Sequence, residues 1–172
     1  MLVLGIDPGT ATTGYGLVEQ DDTLDLVACG IITTPAGIPL PERLLAIHRQ
    51  LSALIRDYQP EAVAVEELFF SKNVRTAMSV GHARGVILLT VAEAGLPMYE
   101  YKPSEVKLAV AGYGAATKDQ MQEMVRLLLD LDKAPTPDDA ADAVAIAVCH
   151  LHSSHMKYLE EDDQPLADRD CR

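Results

Sequence analysis

Four acidic residues stand where a carboxylate is expensive to keep. Asp7 closes the apolar run LVLGI and is followed at once by Pro8-Gly9-Thr10. Glu66 closes a second apolar run, EAVAVE, at residues 61–66. Asp139 and Asp142 lie at the start of a run rich in Ala, Val and Ile, TPDDAADAVAIA. A charge at the end of an interior element is costly unless a cation or hydrogen bonds compensate it. Acids brought together repel, and an all-oxygen set suits a hard cation, Mg²⁺ or Mn²⁺. A pair of such ions activates a water and stabilises the leaving oxygen of a phosphodiester.

Spacing alone leaves the register open. Asp139 and Asp142 share a helix face as an i,i+3 pair, but Asp138 and Asp142 share one as an i,i+4 pair. Glu67 rivals Glu66, although period two turns it to the other side of a strand. Each acid also has a plain structural use. Asp7 can start the Pro-Gly-Thr turn. Thr136-x-x-Asp139 is a capping-box pattern, and acids in a first turn favour the helix dipole.

The elements that must position these acids follow from periodicity. Alternation puts Val3, Gly5 and Asp7 on one face of a strand and Leu2, Leu4 and Ile6 on the other. Gly14-Tyr15-Gly16-Leu17-Val18 alternates as a second strand, 20–23 reads as a turn, and 24–34 as a third strand. Short turns make these three an antiparallel meander. Residues 34–41 hold three prolines and a glycine, a crossing loop, and Pro41 suits a first helical turn. Leu44, Ile47, Leu51 and Leu54 mark one helical face that ends near residues 58–60. The strand over 61–66 can then pair in parallel with the first. A loop at 69–73 leads into a helix over 74–94, stopped by Gly95, whose Ala77, Gly81, Ala83, Gly85 and Val86 permit close approach. A fifth strand at 96–101 and helices at 104–110, 118–129 and 137–152 complete a mixed α/β sheet. The Ala-rich stretch after Asp142 has little bulk, so the last helix can lie close to the sheet. From residue 153 the chain is acidic and loses periodicity, so residues 1–152 are expected to form the domain and 153–172 a disordered tail.

A chain of 172 residues, 48% hydrophobic and 23% charged, fits one soluble domain. Its apolar runs are too short to span a bilayer and no basic segment precedes Leu2, so no membrane role and a cytoplasmic location are expected. Cys29, Cys149 and Cys171 are too few and too scattered for a disulfide framework. The net charge of −12 argues against nucleic acid, yet it is uneven. Between 69 and 118 six basic residues (Lys72, Arg75, Arg84, Lys102, Lys107, Lys118) face three acids (Glu93, Glu100, Glu105). A locally basic face on an acidic protein can bind phosphate, with strong salt dependence.

Gly5-Ile6-Asp7-Pro8-Gly9, Val65-Glu66-Glu67-Leu68-Phe69, His82-Ala83-Arg84-Gly85 and Asp139-Ala140-Ala141-Asp142-Ala143, in this order and spacing, resemble the RuvC family of crossover junction endodeoxyribonucleases. The resemblance covers residues 1–152. It implies an RNase H-like fold: a mixed five-stranded sheet, three antiparallel strands then two parallel, flanked by helices. It implies a homodimer that resolves four-way (Holliday) DNA junctions in recombination and repair by paired, divalent-metal-dependent nicks. Two Mg²⁺ ions per site are implied, with Mn²⁺ as a substitute, and partners of the RuvA and RuvB type that bind junctions and drive branch migration. By position, Asp7, Glu66, Asp139 and Asp142 are the catalytic, metal-binding carboxylates, which leaves Asp138 outside the set. Some members carry His where this chain has Asp139. Phe69 matches an aromatic that stacks beside the junction centre, and Lys107 and Lys118 match lysines that meet DNA phosphate. The helix over 74–94 is the candidate dimer interface.

Three other readings compete. Cys149-His150-Leu151-His152-Ser153-Ser154-His155 looks like a soft-metal tract, but its spacings fit no closed zinc site. Gly5-x-Asp7-x-Gly9-Thr10 resembles the first phosphate loop of actin-like ATPases and sugar kinases, which need a second lobe that 172 residues scarcely accommodate. An inactive junction-binding scaffold would have no need of four acids.

Overall fold

The computed structural model describes residues 1–67 and 74–162, with side chains described over 1–67 and 78–154. Alternating apolar residues build β1 (Leu2–Asp7), β2 (Thr12–Gln20) and β3 (Leu24–Thr33). They form the expected meander, with Asp7 opposite Gly14 across the β1–β2 ladder. Helix α1 (Leu40–Tyr58) starts with a proline in its first turn and stops at Gln59, whose φ of 51° is left-handed. β4 (Ala62–Glu66) then returns parallel to β1, with Ile6 opposite Val65. Asp7 and Glu66, each one residue further on, therefore leave the sheet at the same edge. Helix α2 (Val74–Glu93) leads through Gly95, at φ 67°, to β5 (Met98–Tyr101), parallel to β4. Helices α3 (Pro103–Ala111), α4 (Lys118–Leu128) and α5 (Asp138–Asp162) follow. The strand order is β3-β2-β1-β4-β5, the sheet the sequence implies.

Period two splits the core into two layers. Leu4, Ile6, Leu17, Val63 and Val65 pack against Ile47 and Leu51 of α1 and Ile87 and Val91 of α2. Val3, Val18, Ala62 and Ala64 face α3, α4 and α5 through Val106, Val125, Val144, Val148 and Leu151. Each fully buried Leu, Ile or Val contributes about 1.5–3 kcal/mol, so both layers hold the sheet.

The α5 layer is thinner than the other. A methyl added to Gly5 would overlap the Ala143 carbonyl oxygen and come within 2.7 Å of the Ala147 nitrogen. One added to Gly14 would overlap the Asp139 carbonyl, and one added to Gly16 would come within 2.8 Å of the Val144 Cα. The first turns of α5 therefore rest directly on strand backbone, with Gly5, Gly14 and Gly16 on one side of the contact and Asp139, Ala143, Val144 and Ala147 on the other. The small residues of α2 act differently. Ala83 is fully buried, but methyls at Gly81 and Gly85 would meet open space. Among the described residues these glycines make no close approach; that role falls to β1 and β2.

Both ends of α5 differ from expectation, and β5 starts at Met98, two residues later than expected. α5 runs to Asp162, ten residues beyond 152, and residues 163–172 lie outside the described ones. Its first intrahelical carbonyl acceptor is Pro137, which receives the Ala140 and Ala141 amides at 3.0 and 3.2 Å. Pro137, not Thr136, thus occupies the cap position.

Candidate active site

Three carboxylates from three elements meet in one cleft of about 260 Å³. Asp7 comes from the end of β1, Glu66 from the end of β4, and Asp142 from the second turn of α5. Lys107 of α3 and Lys118 of α4 stand in the same cleft, and Val106, Met121 and Ile146 supply apolar wall. Convergence follows from the fold: β1 and β4 end at one sheet edge, and the glycine-backed approach of α5 brings its start to that edge.

The electrostatics are those of acids without sufficient countercharge. Burial, then the charges of Glu66, Asp142 and Asp139, push the Asp7 carboxyl up to about 7, with Lys118 opposing. Burial and Asp142 raise Glu66, against Lys107. Burial also raises Asp142, while the Lys118 ammonium pulls it down. A group of acids that resists full ionisation is short of positive charge, and its all-oxygen donors suit a hard divalent cation. Among the described residues, no group of three acids, imidazoles or thiols is drawn together tightly enough to ligate an ion without adjustment.

Asp139 and Asp138 differ from Asp142. Asp139 is half-buried and outside the cleft lining, and it reaches the site through its field on Asp7. Asp138 is exposed and paired. Its Oδ2 lies 3.1 Å from the Lys118 ammonium and its Oδ1 accepts from Gln122 Nε2 at 3.0 Å. The hydrogen bond from Lys118, then that from Gln122, hold its carboxyl below the usual range. Lys118 also donates to Asp142 Oδ2 at 3.3 Å. No motif in the sequence announces this bridge, because α4 and α5 come together only in the folded chain.

Lys118 is well rooted. Thr117 caps α4, accepting the Gln120 amide, and Gln120 Oε1 accepts the Thr117 amide at 2.9 Å in return. Tyr113 donates its hydroxyl proton to the same Gln120 oxygen. Of the other basic residues between 69 and 118, Arg84 is committed to Glu100, while Lys72 and the side chain of Arg75 lie outside the described residues. Phe69 also lies outside them.

The competing motifs are used structurally. Thr10 is buried; its hydroxyl donates to the Ser79 carbonyl and accepts from Ser79 Oγ at 2.9 Å, so the Asp7-Pro8-Gly9-Thr10 loop is tied to α2 and not opened as a phosphate cradle. His150 Nδ1 hydrogen-bonds Tyr101 Oη at 2.7 Å, and His152 Nδ1 donates to the Ala109 carbonyl at 3.1 Å. Both imidazoles pin α5 to its neighbours, and Cys149 is buried. Among the described residues no helix is long and apolar enough to cross a membrane.

Known proteins are similar to this chain along nearly its whole length. The family model described as "Crossover junction endodeoxyribonuclease RuvC" matches residues 3–150. The protein of that name from Chloroflexus aggregans is 63% identical over 155 residues, covering 90% of this chain and 94% of its own. The solved Thermus thermophilus RuvC structure is 40% identical with a TM-score of 0.86, covering 91% of this chain and 97% of that one. The T. thermophilus protein in complex with a Holliday junction substrate superposes with a TM-score of 0.88 at 40% identity, covering 91% and 96%.

Proposed function

The chain belongs to the RuvC family of crossover junction endodeoxyribonucleases, and we propose that it resolves four-way DNA junctions with Asp7, Glu66, Asp139 and Asp142 as its catalytic carboxylates. The observation that carries this reading is the convergence of Asp7, Glu66 and Asp142 with Lys107 and Lys118 in one cleft. An acidic floor with cationic walls suits a phosphodiester, whose own charge needs lysines and whose hydrolysis needs an activated water.

The four carboxylates would hold two Mg²⁺ ions, or Mn²⁺ in their place, with Asp139 drawn in from beside Asp7. When bound, such ions would act as Lewis acids on the phosphoryl oxygens and offset the charge that develops on the attacking and leaving oxygens. The chain's own residues do the rest. Asp7 and Glu66 fix the floor because strand ends carry them. Asp142 sits on a helix whose distance from the sheet is set by backbone contact. Lys107 and Lys118 each present an ammonium to a phosphate oxygen and lower the charge of the acids. Val106, Met121 and Ile146 keep bulk water from part of the cleft.

A four-way junction presents two symmetric strands, which a two-fold protein matches. The homodimer would pair through α2, whose Met78 and Leu89 are 60% and 57% exposed, on the face that also carries open Gly85. Phe69, three residues beyond Glu66, is assigned the stacking contact at the junction centre. Partners of the RuvA and RuvB type and a cytoplasmic setting belong to the same reading.

The test is incubation with a mobile four-way junction and a sequence-matched linear duplex, each with Mg²⁺, Mn²⁺ or EDTA. Paired nicks in the junction alone, abolished by EDTA, are expected. Equal cutting of the duplex would overturn structure selectivity, and cutting in EDTA would overturn the role of the carboxylates.

A further inference from the structure

Lys118 and Gln122 are one helical turn apart on α4, and Asp138 and Asp142 are one turn apart on α5. The two pairs face each other. Lys118 Nζ reaches Asp138 Oδ2 at 3.1 Å and Asp142 Oδ2 at 3.3 Å, and Gln122 Nε2 reaches Asp138 Oδ1 at 3.0 Å. Asp142 lines the cleft; Asp138 lies outside it, with its side chain 65% exposed.

We infer that Asp138 is a positioning residue: held in turn by Gln122, it keeps the Lys118 ammonium at the rim of the acidic cleft. The inference rests on the proposed nuclease reading for its consequence, but not for its geometry. A lone exposed ion pair does not hold a lysine in one place, because four rotatable bonds and water compete. Here both carboxylate oxygens of Asp138 are engaged, so its own rotamer is fixed, and the backbone of Lys118 is anchored by the Thr117 cap. The arrangement matters most once a cation takes up the oxygens of Asp142. Lys118 then loses one of its two acceptors, and Asp138 is what keeps the ammonium pointing at an incoming phosphate instead of into solvent.

The inference has a diagnostic sign. Removing a negative charge beside a site for polyanionic DNA should, on field effects alone, tighten binding and leave cleavage no slower. A positioning role predicts slower cleavage. Single-turnover cleavage of pre-bound junction should fall about five- to tenfold in Asp138→Asn and recover to within about twofold in Asp138→Glu, and Asp138→Asn should add nothing in a Lys118→Ala background. Gln122→Ala, which touches no acid of the cleft, should give a smaller loss of the same kind. In free protein carrying Asp142→Ala, where Asp138 is the remaining carboxylate acceptor described for Lys118, the hydrogen-bonded ammonium should give a protected signal in ¹⁵N-edited NMR that adding Asp138→Asn abolishes.

Wild-type cleavage with undiminished Asp138→Asn cleavage would overturn the inference, as would an equal fold-loss in the presence and absence of Lys118. If wild-type protein itself fails to nick junctions, the nuclease reading falls. The NMR arm then still decides: loss of the ammonium signal on adding Asp138→Asn supports the positioning role, and its persistence overturns it.

Discussion

The two faces of the sheet solve different problems. Against α1 and α2, the strands present Leu4, Ile6, Leu17, Val63 and Val65, and the helices answer with Ile47, Leu51, Ile87 and Val91. That layer is thick and made of branched side chains. Against the first turns of α5, β1 and β2 present Gly5, Gly14 and Gly16, and the helix answers with the backbone of Ala143, Asp139 and Val144, so backbone meets backbone there. All the acids assigned to catalysis stand at the edge of the thin layer or at the strand ends it covers. Thick packing gives stability that can be adjusted by small shifts; thin packing gives position. The molecule has placed its chemistry where little can shift.

The comparison breaks most directly at the acids. Asp7→Asn, Glu66→Gln, Asp139→Asn and Asp142→Asn should each reduce junction cleavage on the order of a hundred- to thousandfold, the scale of losing one preorganised charged group. Gel-shift affinity should persist, since phosphate contacts carry most of it. Near-normal nicking by any one variant removes that residue from the site. Asp139 is the most exposed to this test, because it stands beside the cleft and not in its lining.

Next come paired substitutions in the two layers. Leu51→Ala should cost about 2–5 kcal/mol of stability in chemical denaturation, yet leave the specific activity of the folded fraction unchanged. Gly14→Ala drives a methyl into the Asp139 carbonyl and should cost about 1–3 kcal/mol while also slowing cleavage by the folded fraction. If Leu51→Ala slows cleavage per folded molecule as much as Gly14→Ala, the division of labour fails.

A third comparison uses pH without DNA. Asp7 is raised from 3.8 to about 7 in the folded chain, chiefly by burial and then by Glu66. Between those values the folded chain keeps a proton that the unfolded chain has released. This group therefore makes stability fall as pH rises through that window, and the deficit persists above it. In mildly alkaline buffer with EDTA, Asp7→Asn should melt a few degrees above wild type, and millimolar Mg²⁺ should raise wild type more than the variant. A variant that melts lower, with no response to Mg²⁺ in wild type, would contradict the account of unmet charge.

The smallest effect is electrostatic. Junction affinity should weaken with added salt despite the overall charge of −12, and Lys107→Ala should lower the slope of log affinity against log salt by about one unit. A slope unaltered in the variant would place Lys107 away from phosphate.

Much of this was legible in the chain. Alternation marks the first two strands and β-branched or apolar runs mark the other three, and the order of apolar runs ending in carboxylates brings Asp7 and Glu66 to one sheet edge. The Ala-rich helix was readable as one that could lie low. Its counterpart was harder: Gly14-Tyr15-Gly16 looks like any alternating strand, and nothing local says that a helix backbone lies on it. The choice between Asp138 and Asp139 was closed to spacing, because both share a face with Asp142. Solvation differs between them only after α4 packs beside α5 and Lys118 and Gln122 take hold of Asp138. The glycines of α2 misled for the complementary reason, since small residues signal close contact without saying with what.

The bare contact beneath α5 has one more consequence. Where side chains separate two elements, the gap between them inherits the size of whichever residues the chain happens to carry, and it drifts as they are exchanged. Where Gly5 lies beneath the backbone of Ala143 and Ala147, and Gly14 beneath that of Asp139, the gap is a property of the polypeptide itself. The separation between the acid at the end of β1 and those at the head of α5 is thus insulated from turnover in the rest of the core. Large aliphatics elsewhere can be traded over generations with the ruler between the carboxylates left unchanged.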